Sequence, residues 1–127
     1  MKNHSEYVDY LVELMAAVGG VSAKRMFGGA GIFKDGCMFG LVADDVLYLK
    51  TDTDNRAQFV AVGSEPFLYT DKNRDKPIAI HYYRCPDEAL ESPALMAEWA
   101  RSGFAAALRA KAGAKKTSRK KYGLSEQ

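Results

Sequence analysis

Three short apolar segments joined by two turn dipeptides constrain the fold more than any other feature of this sequence. The segments are MFGGAGIF (26–33), CMFGLVA (37–43) and VLYLK (46–50), and the separators are Asp35-Gly36 and Asp44-Asp45. Asp and Gly tolerate positive φ, so dipeptides of these types favour tight hairpin turns. The sequence therefore predicts an antiparallel meander of three strands, in which Asp44 and Asp45 are turn residues rather than a pair of catalytic carboxylates.

Helical patterns flank the meander. Asn3 and Glu6 resemble a capping box at the start of a first amphipathic helix, which is expected to end at Gly19-Gly20. A short helix is predicted after an Asp54 cap. Ser92 as N-cap and Pro93 at the first helical position predict a last helix with one apolar face.

Two further strands, PFLYT and PIAIHYYR, lie between the short helix and the last one. The resulting order is α-β-β-β-α-β-β-α. Because the strands come in local hairpins, we expect an α+β fold with a mostly antiparallel sheet and helices packed on it. The chain has 127 residues, about the length of one domain. We expect that domain to span residues 1–112.

Charge separates the body of the chain from its end. Residues 1–108 carry a net charge of −4, whereas residues 109–127 carry +6. The end has few large apolar residues, so residues 113–127 are expected to form a disordered basic tail. Such a tail is a candidate nucleic-acid anchor, although a solubilising role fits it equally. The basic residues of the whole segment 109–127, the candidate nucleic-acid contacts, are Arg109, Lys111, Lys115, Lys116, Arg119, Lys120 and Lys121.

The glycine cluster at residues 28–31 is interpreted as structural. A phosphate-binding loop leads into a helix N-terminus, but here Ile32, Phe33 and a hairpin turn follow. The glycines are expected to form a bulge or to allow close backbone approach within a strand.

The aromatic residues of the strands are assigned to the core or to an interface. A stacking platform for single-stranded nucleic acid would need clustered Lys and Arg beside the rings. The segments that carry the rings are poor in such residues, and the body is acidic.

No residue pattern predicts catalysis, a metal site or a cofactor. His81 and Cys85 would lie roughly 13 Å apart along one strand, too far for a catalytic pair. A packed strand histidine and a buried, inert cysteine are expected instead, and Cys37 is also read as a reduced thiol. No apolar run is long enough to span a bilayer and the N-terminus is polar, so a cytoplasmic protein is expected.

Several motifs together resemble the TfoX N-terminal domain family. They are RMFGG (25–29), GIF (31–33), MFGLVADDxLYLK (38–50), PFxY (66–69) and YYxxP (82–86), followed by Trp99. The resemblance implies a secretion-chaperone-like α-β3-α-β2-α architecture and a regulatory role in natural competence, assisting the cyclic-AMP receptor protein. It implies no enzyme activity and no cofactor. A stand-alone domain is expected, since the basic tail stands where competence regulators continue into a second helical domain.

These observations favour a non-enzymatic regulatory domain that binds a protein partner. The candidate interaction surface is Arg25, Met26, Phe27, Gly28 and Gly29. Two alternatives stay open: a nucleic-acid-associated regulator anchored by the basic tail, and a small-molecule-binding or Cys-dependent enzyme. A homodimer formed through a sheet edge is also expected.

Overall fold

The computed structural model describes residues 4–26, 28–69 and 78–121, with side chains described over 6–26, 28–68 and 81–113. It contains a six-stranded sheet, three α-helices and one 3-10 turn. The helices are α1 (His4–Leu14), α2 (Arg56–Ala61) and α3 (Pro93–Lys121), and the 3-10 turn covers Asp87–Glu91. The strands are β1 (Val21–Met26), β2 (Gly29–Lys34), β3 (Cys37–Ala43), β4 (Val46–Lys50), β5 (Pro66–Tyr69) and β6 (Ile78–Arg84).

The sheet has the order β1-β2-β3-β4-β6-β5, and every neighbouring pair is antiparallel. Both predicted hairpin turns are confirmed. Asp35 and Gly36 have φ values of 52° and 77°, and Asp44 and Asp45 have 50° and 60°. Positive φ at both central residues is the type I′ geometry, whose twist matches that of paired strands. The predicted α+β class is therefore confirmed.

The predicted meander gains one strand. The segment expected to be a single strand over residues 26–33 is divided between β1 and β2, with Met26 paired to Gly29. Gly28 lies between them at φ +75°, a conformation that glycine adopts at no steric cost. Periodicity does not reveal β1 because it lies at the edge of the sheet and its residues 22–25 are all exposed.

A β-bulge in β3 keeps one side of the sheet apolar along its length. Ile32 pairs with Gly40 but Phe33 pairs with Met38, so Phe39 is the extra residue. Cys37, Phe39 and Val42 are all buried, although strict alternation would not place them on one face. The helices pack on that face.

Helix α3 lies closest to the sheet at Gly103. A Cβ at this position would come within 3.3 Å of both the Leu49 Cβ and the Phe39 carbonyl oxygen. Beside this contact the Phe39 and Phe104 rings meet edge to face at 5.9 Å, and Phe59 of α2 meets Trp99 at 4.8 Å. The core is thus formed between α1, α2, α3 and one face of the sheet.

Both predicted N-caps can be compared with the structure. The Ser92 Oγ accepts a hydrogen bond from the Leu95 N–H at 3.1 Å, which confirms the start of α3. The Asp54 cap is wrong: the N-cap of α2 is Asn55, and it is the Asp52 Oδ1 that accepts bonds from the N–H groups of residues 54 and 55. Three competing acids and amides within four residues make the choice ambiguous from sequence. Asn3 lies outside the described residues.

A buried amide joins the loop after β4 to α3. Asn55 is 4 % exposed, and its Nδ2 donates to the carbonyl oxygens of Lys50 at 3.2 Å and of Ser102 at 3.1 Å. Its Oδ1 accepts a bond from the Asp52 N–H at 2.8 Å. Because a buried amide without partners is costly, this network fixes the loop against the helix.

The same loop holds Arg109 of α3. The Arg109 Nε and Nη2 donate to the two oxygens of Asp52 at 2.6 and 2.9 Å, and Nε also lies 3.3 Å from the Asp54 Oδ2. Two parallel charge-assisted bonds are the strong arrangement of an arginine and a carboxylate. The hydrogen bond from Arg109 lowers the pKa of Asp52 to about 2.

We predict that Gly29→Ala destabilises the domain by about 1–3 kcal/mol. Its Cβ would overlap the Val42 carbonyl oxygen, so β2 and β3 would have to separate. Urea denaturation measures the loss. Gly113→Ala is the control: a Cβ there meets nothing within 4 Å and helix propensity favours alanine, so stability should hold or rise slightly. Wild-type stability in Gly29→Ala would contradict the packing described.

We predict that Arg109→Gln removes an acid-dependent part of the stability. A lowered folded-state pKa stabilises the fold above the ordinary pKa of 3.8, and this contribution disappears as pH falls toward 2. The shift would correspond to more than 2 kcal/mol, but Arg109 is 41 % exposed, so solvent screening reduces the expected contribution to about 1 kcal/mol.

The measurement is the free energy of unfolding of the wild-type and Arg109→Gln proteins, over an assay range of roughly pH 6 to pH 2 that includes the carboxyl pKa. The matched control is Arg84→Gln, which breaks the pair with Asp87 whose side chains are 52 % and 82 % exposed. Exposed pairs contribute little, so this variant should follow the wild-type curve. Identical pH curves for Arg109→Gln and wild type would show that the Asp52 contact adds no stability.

Candidate docking groove on the open face of the sheet

The face of the sheet opposite the helices carries an apolar groove of about 590 Å³. We call it the open-face groove, and it is lined by residues from β1, β2, β3, β5 and β6. Its volume lies in the range of ligand pockets, which is roughly 300–1,000 Å³. The lining residues are Met26, Gly28, Gly29, Met38, Leu41, Val42, Ala43, Asp44, Phe67 and Tyr82.

The β3 bulge determines which side chains reach this groove. The extra residue at Phe39 shifts the alternation of side chains between the two faces of β3. Met38 before the bulge and Leu41 and Ala43 after it therefore all lie on the open face. Each of these three is only partly buried. Strand β3 is therefore apolar on both faces: one supports the helices and the other is accessible.

Three large side chains pack over Gly31 on the open face of the sheet. A Cβ at Gly31 would lie 2.9 Å from Phe33 Cε1 and 3.1 Å from the sulfur atoms of Met26 and Met38. A side chain here would push these groups outward. The missing Cβ lets two methionines, which adapt easily to different partners, pack beside each other at the groove.

Aromatic rings form the other wall. The Tyr48 and Phe67 rings meet edge to face at 4.9 Å, and Tyr82 stands on the neighbouring strand. Burial raises the pKa of Tyr82 to about 12, so the phenol stays protonated at neutral pH. Its hydroxyl donates to the Met38 carbonyl oxygen at 3.5 Å, a long bond, and the Lys50 ammonium lies 5.2 Å from the ring centre.

The glycine cluster has the structural role expected of it. Gly28 makes the turn into β2, and Gly29 and Gly31 are buried where other chain atoms come close. The cluster leads into a strand rather than a helix N-terminus, so it has no phosphate-loop geometry.

The predicted interaction surface borders this groove. Met26, Gly28 and Gly29 line it, and Arg25 is exposed on the adjacent edge strand. Gly29 is buried and offers only backbone. Phe27 lies outside the described residues.

Four important groove residues were absent from the sequence-based surface: Met38, Leu41, Phe67 and Tyr82. For two of them, Met38 and Leu41, the sequence does contain a signal. CMFGLVA is apolar at almost every position, a pattern typical of a strand in contact with apolar groups on both faces. Which of its residues face outward depends on the bulge, and periodicity does not reveal a bulge.

A second cavity, of about 770 Å³, lies between α2 and α3 and is more polar. Asn55 and Ser102 line it, but their polar atoms already bond to each other, and Ser102 Oγ also donates to Gln58 Oε1 at 3.4 Å. Arg109 at its rim is bound by Asp52 and Asp54. The Asn55, Gln58 and Ser102 side chains therefore join α2 and its N-cap to α3.

The predicted basic tail is only partly within the described side chains. Helix α3 continues to Lys121, so the backbone of residues 113–121 is helical here, and the expected disorder of residues 113–127 stays a prediction. Arg109 makes intramolecular ion pairs, whereas Lys111 is exposed. The side chains of Lys115, Lys116, Arg119, Lys120 and Lys121 lie outside the described set.

The thiols do not form a nucleophilic site. Cys37 and Cys85 are both buried and free. Burial, with a smaller effect from the Asp87 charge, raises the pKa of Cys85 to about 12, so the nucleophilic thiolate is scarce at neutral pH. The prediction of a packed histidine is wrong: His81 is exposed, and its Nδ1 lies 3.2 Å from the Arg56 Nη2.

The described part of the chain contains neither a metal-binding cluster nor a membrane-spanning helix. No group of three or more His, Cys, Asp or Glu side chains in that part of the chain could hold a metal ion. None of the helices described is both long and apolar enough to cross a membrane.

Comparison with known proteins gives a consistent result. The TfoX N-terminal domain profile matches residues 13–107. DNA transformation protein TfoX of Haemophilus influenzae is 32% identical over 94 residues, covering 72% of this chain and 43% of that protein. DNA transformation protein TfoX1 of Aliivibrio fischeri is 36% identical over 55 residues, covering 43% of this chain and 26% of that protein.

The chain spans less than half the length of either of these curated relatives. The matched region nevertheless contains all six strands, α2 and the part of α3 that packs on the sheet. It also contains every residue that lines the open-face groove. By its sequence match over most of the domain, this chain belongs to the TfoX N-terminal domain family.

Proposed function

We propose that this chain is a non-enzymatic regulatory domain that acts in the control of DNA transformation by binding a partner protein through the open-face groove. The relatives named above are DNA transformation proteins, which supports the process. The observation that carries the binding role is the groove itself: an accessible, largely apolar surface on the sheet face that no described helix covers.

The chemistry of the groove favours a protein partner. Met26, Met38 and Phe67 are partly buried and supply the residue types that are enriched in protein interfaces. Exposed apolar patches on monomers commonly mark such interfaces. The Tyr82 hydroxyl can exchange its long bond to the Met38 carbonyl oxygen for a hydrogen bond to a partner's carbonyl oxygen.

The proposed role requires no catalysis. The sequence contains no motif of a known catalytic class, and burial keeps the Cys85 thiol protonated. The His81 Nδ1 lies 3.2 Å from the Arg56 Nη2 rather than beside a thiol. These observations support a binding protein over a Cys-dependent enzyme.

The test is genetic complementation in the organism that encodes the chain. Deleting the gene should lower transformation frequency at least about tenfold, and the wild-type gene should restore it. Leu41→Glu places a carboxylate on the groove floor and should fail to restore it, because an unpaired charge in an apolar interface costs several kcal/mol.

Val60→Glu is the matched control. Val60 is 57% exposed on α2, away from the groove. Its substitution makes the same change from an apolar to an acidic side chain. It should restore transformation fully. Both variants are checked by thermal unfolding, and Leu41→Ala, which adds no charge, replaces Leu41→Glu if the latter is unfolded. Normal transformation in the deletion strain would contradict the proposed role in DNA transformation. Full restoration by folded groove variants would contradict binding through the open-face groove.

A second candidate function is nucleic-acid binding through the basic segment. It is supported by the net charge of +6 over residues 109–127. Since Arg109 pairs with Asp52 and Asp54, the lysines beyond it would supply most of the phosphate contacts.

Fluorescence anisotropy with duplex DNA tests this second function. The full chain should bind at low salt, and binding should weaken steeply as salt rises. Replacing Lys115, Lys116, Lys120 and Lys121 together by Gln should abolish it, while Arg109 is left in place to keep its ion pair. DNA binding that survives the fourfold replacement, or no binding by the wild-type chain at low salt, would contradict the hypothesis.

A homodimer is a further proposal from the sequence. A sheet edge such as β1 offers backbone groups that a twofold-related copy can pair with. The lysine and arginine on that edge favour a different partner.

A further inference from the structure

The outer edge of β1 is an open strand edge. β1 is first in the strand order and pairs only with β2 among the described strands. Its residues 22–25 are exposed. The backbone N–H and C=O groups on its outer side are therefore available to another extended chain, which is the geometry of strand addition.

Two cations on this edge differ from the other described cations of residues 6–109. Lys24 and Arg25 have no side-chain hydrogen bond, ion pair or ring contact within the described residues. Every other described cation from residue 6 to residue 109 has a partner. The pairs are Lys34 with the Gly19 carbonyl, Lys50 with the Tyr82 ring, Arg56 with His81, Arg84 with Asp87, Arg101 with the Ala17 carbonyl and Arg109 with Asp52.

We propose that β1 binds an extended acidic segment of a partner protein by antiparallel strand addition. This inference rests on the proposed function, because it specifies the kind of protein segment that the domain binds. The five strand pairs of the sheet are all antiparallel, and a seventh strand continues that pattern. Two adjacent acidic residues of the segment lie opposite Lys24 and Arg25.

The register continues into the open-face groove. Lys24 pairs with Gly31, so its side chain is on the open face, whereas Arg25 pairs with Ala30 and is on the helix side. Met26 is again on the open face and lines the groove. A segment with an apolar residue opposite Met26, followed by two acidic residues, therefore matches both the groove and the two cations.

Charge argues against a second copy as the occupant. β1 reads VSAKRM and contains no acidic residue. Pairing β1 with its own copy in an antiparallel register would bring two lysines and two arginines together, and like charges on facing strands are destabilising. The acidic segment instead neutralises both cations, and its backbone satisfies the strand edge.

The experiment uses the full chain and a fluorescein-labelled peptide of about a dozen residues, with alternating Val and Thr and two adjacent Glu at its centre. We expect saturable binding in fluorescence anisotropy. Peptides with Gln or Lys in place of the two Glu should bind at least about tenfold more weakly, because opposite charges across a strand pair favour binding. No binding of the Glu peptide overturns the proposal.

A backbone control separates strand addition from simple charge attraction. The same Glu peptide is methylated on alternate backbone nitrogens, on one edge and then on the other. Methylation of the edge that faces β1 should remove binding, since the strand hydrogen bonds are lost, and methylation of the outer edge should not. Equal binding by both methylated peptides overturns the proposal in favour of an ionic contact alone.

Charge reversal on the protein completes the test. The double variant Lys24→Glu, Arg25→Glu should no longer bind the Glu peptide and should bind the Lys peptide instead. The control variant Lys111→Glu changes an exposed lysine on α3 and should bind the Glu peptide as wild type does. Duplex DNA binding that disappears in the double variant while peptide binding remains would assign the two cations to nucleic acid and overturn the proposal.

The outcome is separable from that of the proposed function. Leu41 lies on β3, away from the strand edge, so complementation by Leu41→Glu tests the groove and the transformation role. Peptide binding measured on the purified chain does not depend on that role. Peptide binding without a transformation phenotype overturns the proposed role in DNA transformation but not the β1 site. A transformation phenotype without peptide binding overturns the β1 site alone.

Discussion

The bulge at Phe39 is the constraint on which the arrangement of the domain depends. An undisturbed β3 would place Val42 on the opposite face from Cys37 and Phe39. With one extra residue, all three contribute to the core under the helices, and Met38, Leu41 and Ala43 are left to form the groove. A single irregularity in one strand thus determines both the apolar support for α3 and the composition of the open face.

Much of the fold could be predicted from local sequence signals. The type I′ turns at Asp35-Gly36 and Asp44-Asp45 and the Ser92 cap depend on the conformational preferences of a few residues, so they were identified correctly. Strand β1 was missed because an exposed edge strand needs no apolar alternation. The N-cap of α2 was misassigned because Asp52, Asp54 and Asn55 lie within four residues and each is a suitable cap type.

The functional surface was predictable only in part, for a related reason. RMFGG identified one border of the groove, since Met26, Gly28 and Gly29 are neighbours in sequence. The opposite wall comes from Phe67 and Tyr82, which reach the groove through the order β4-β6-β5. Local patterns contain no information about that order. The contact between His81 and Arg56 likewise joins residues that are 25 positions apart in the chain.

The close approach at Gly103 also determines how α3 is oriented beyond the sheet. With the Leu49 Cβ and the Phe39 carbonyl oxygen within 3.3 Å of where a Cβ would stand, a residue larger than glycine would push α3 away from β3 and β4. The helix then continues unbroken from Pro93 to Lys121. At a rise of 1.5 Å per residue, its end lies about 27 Å along the axis from Gly103. The contact at Gly103 therefore sets the direction in which α3 leaves the sheet.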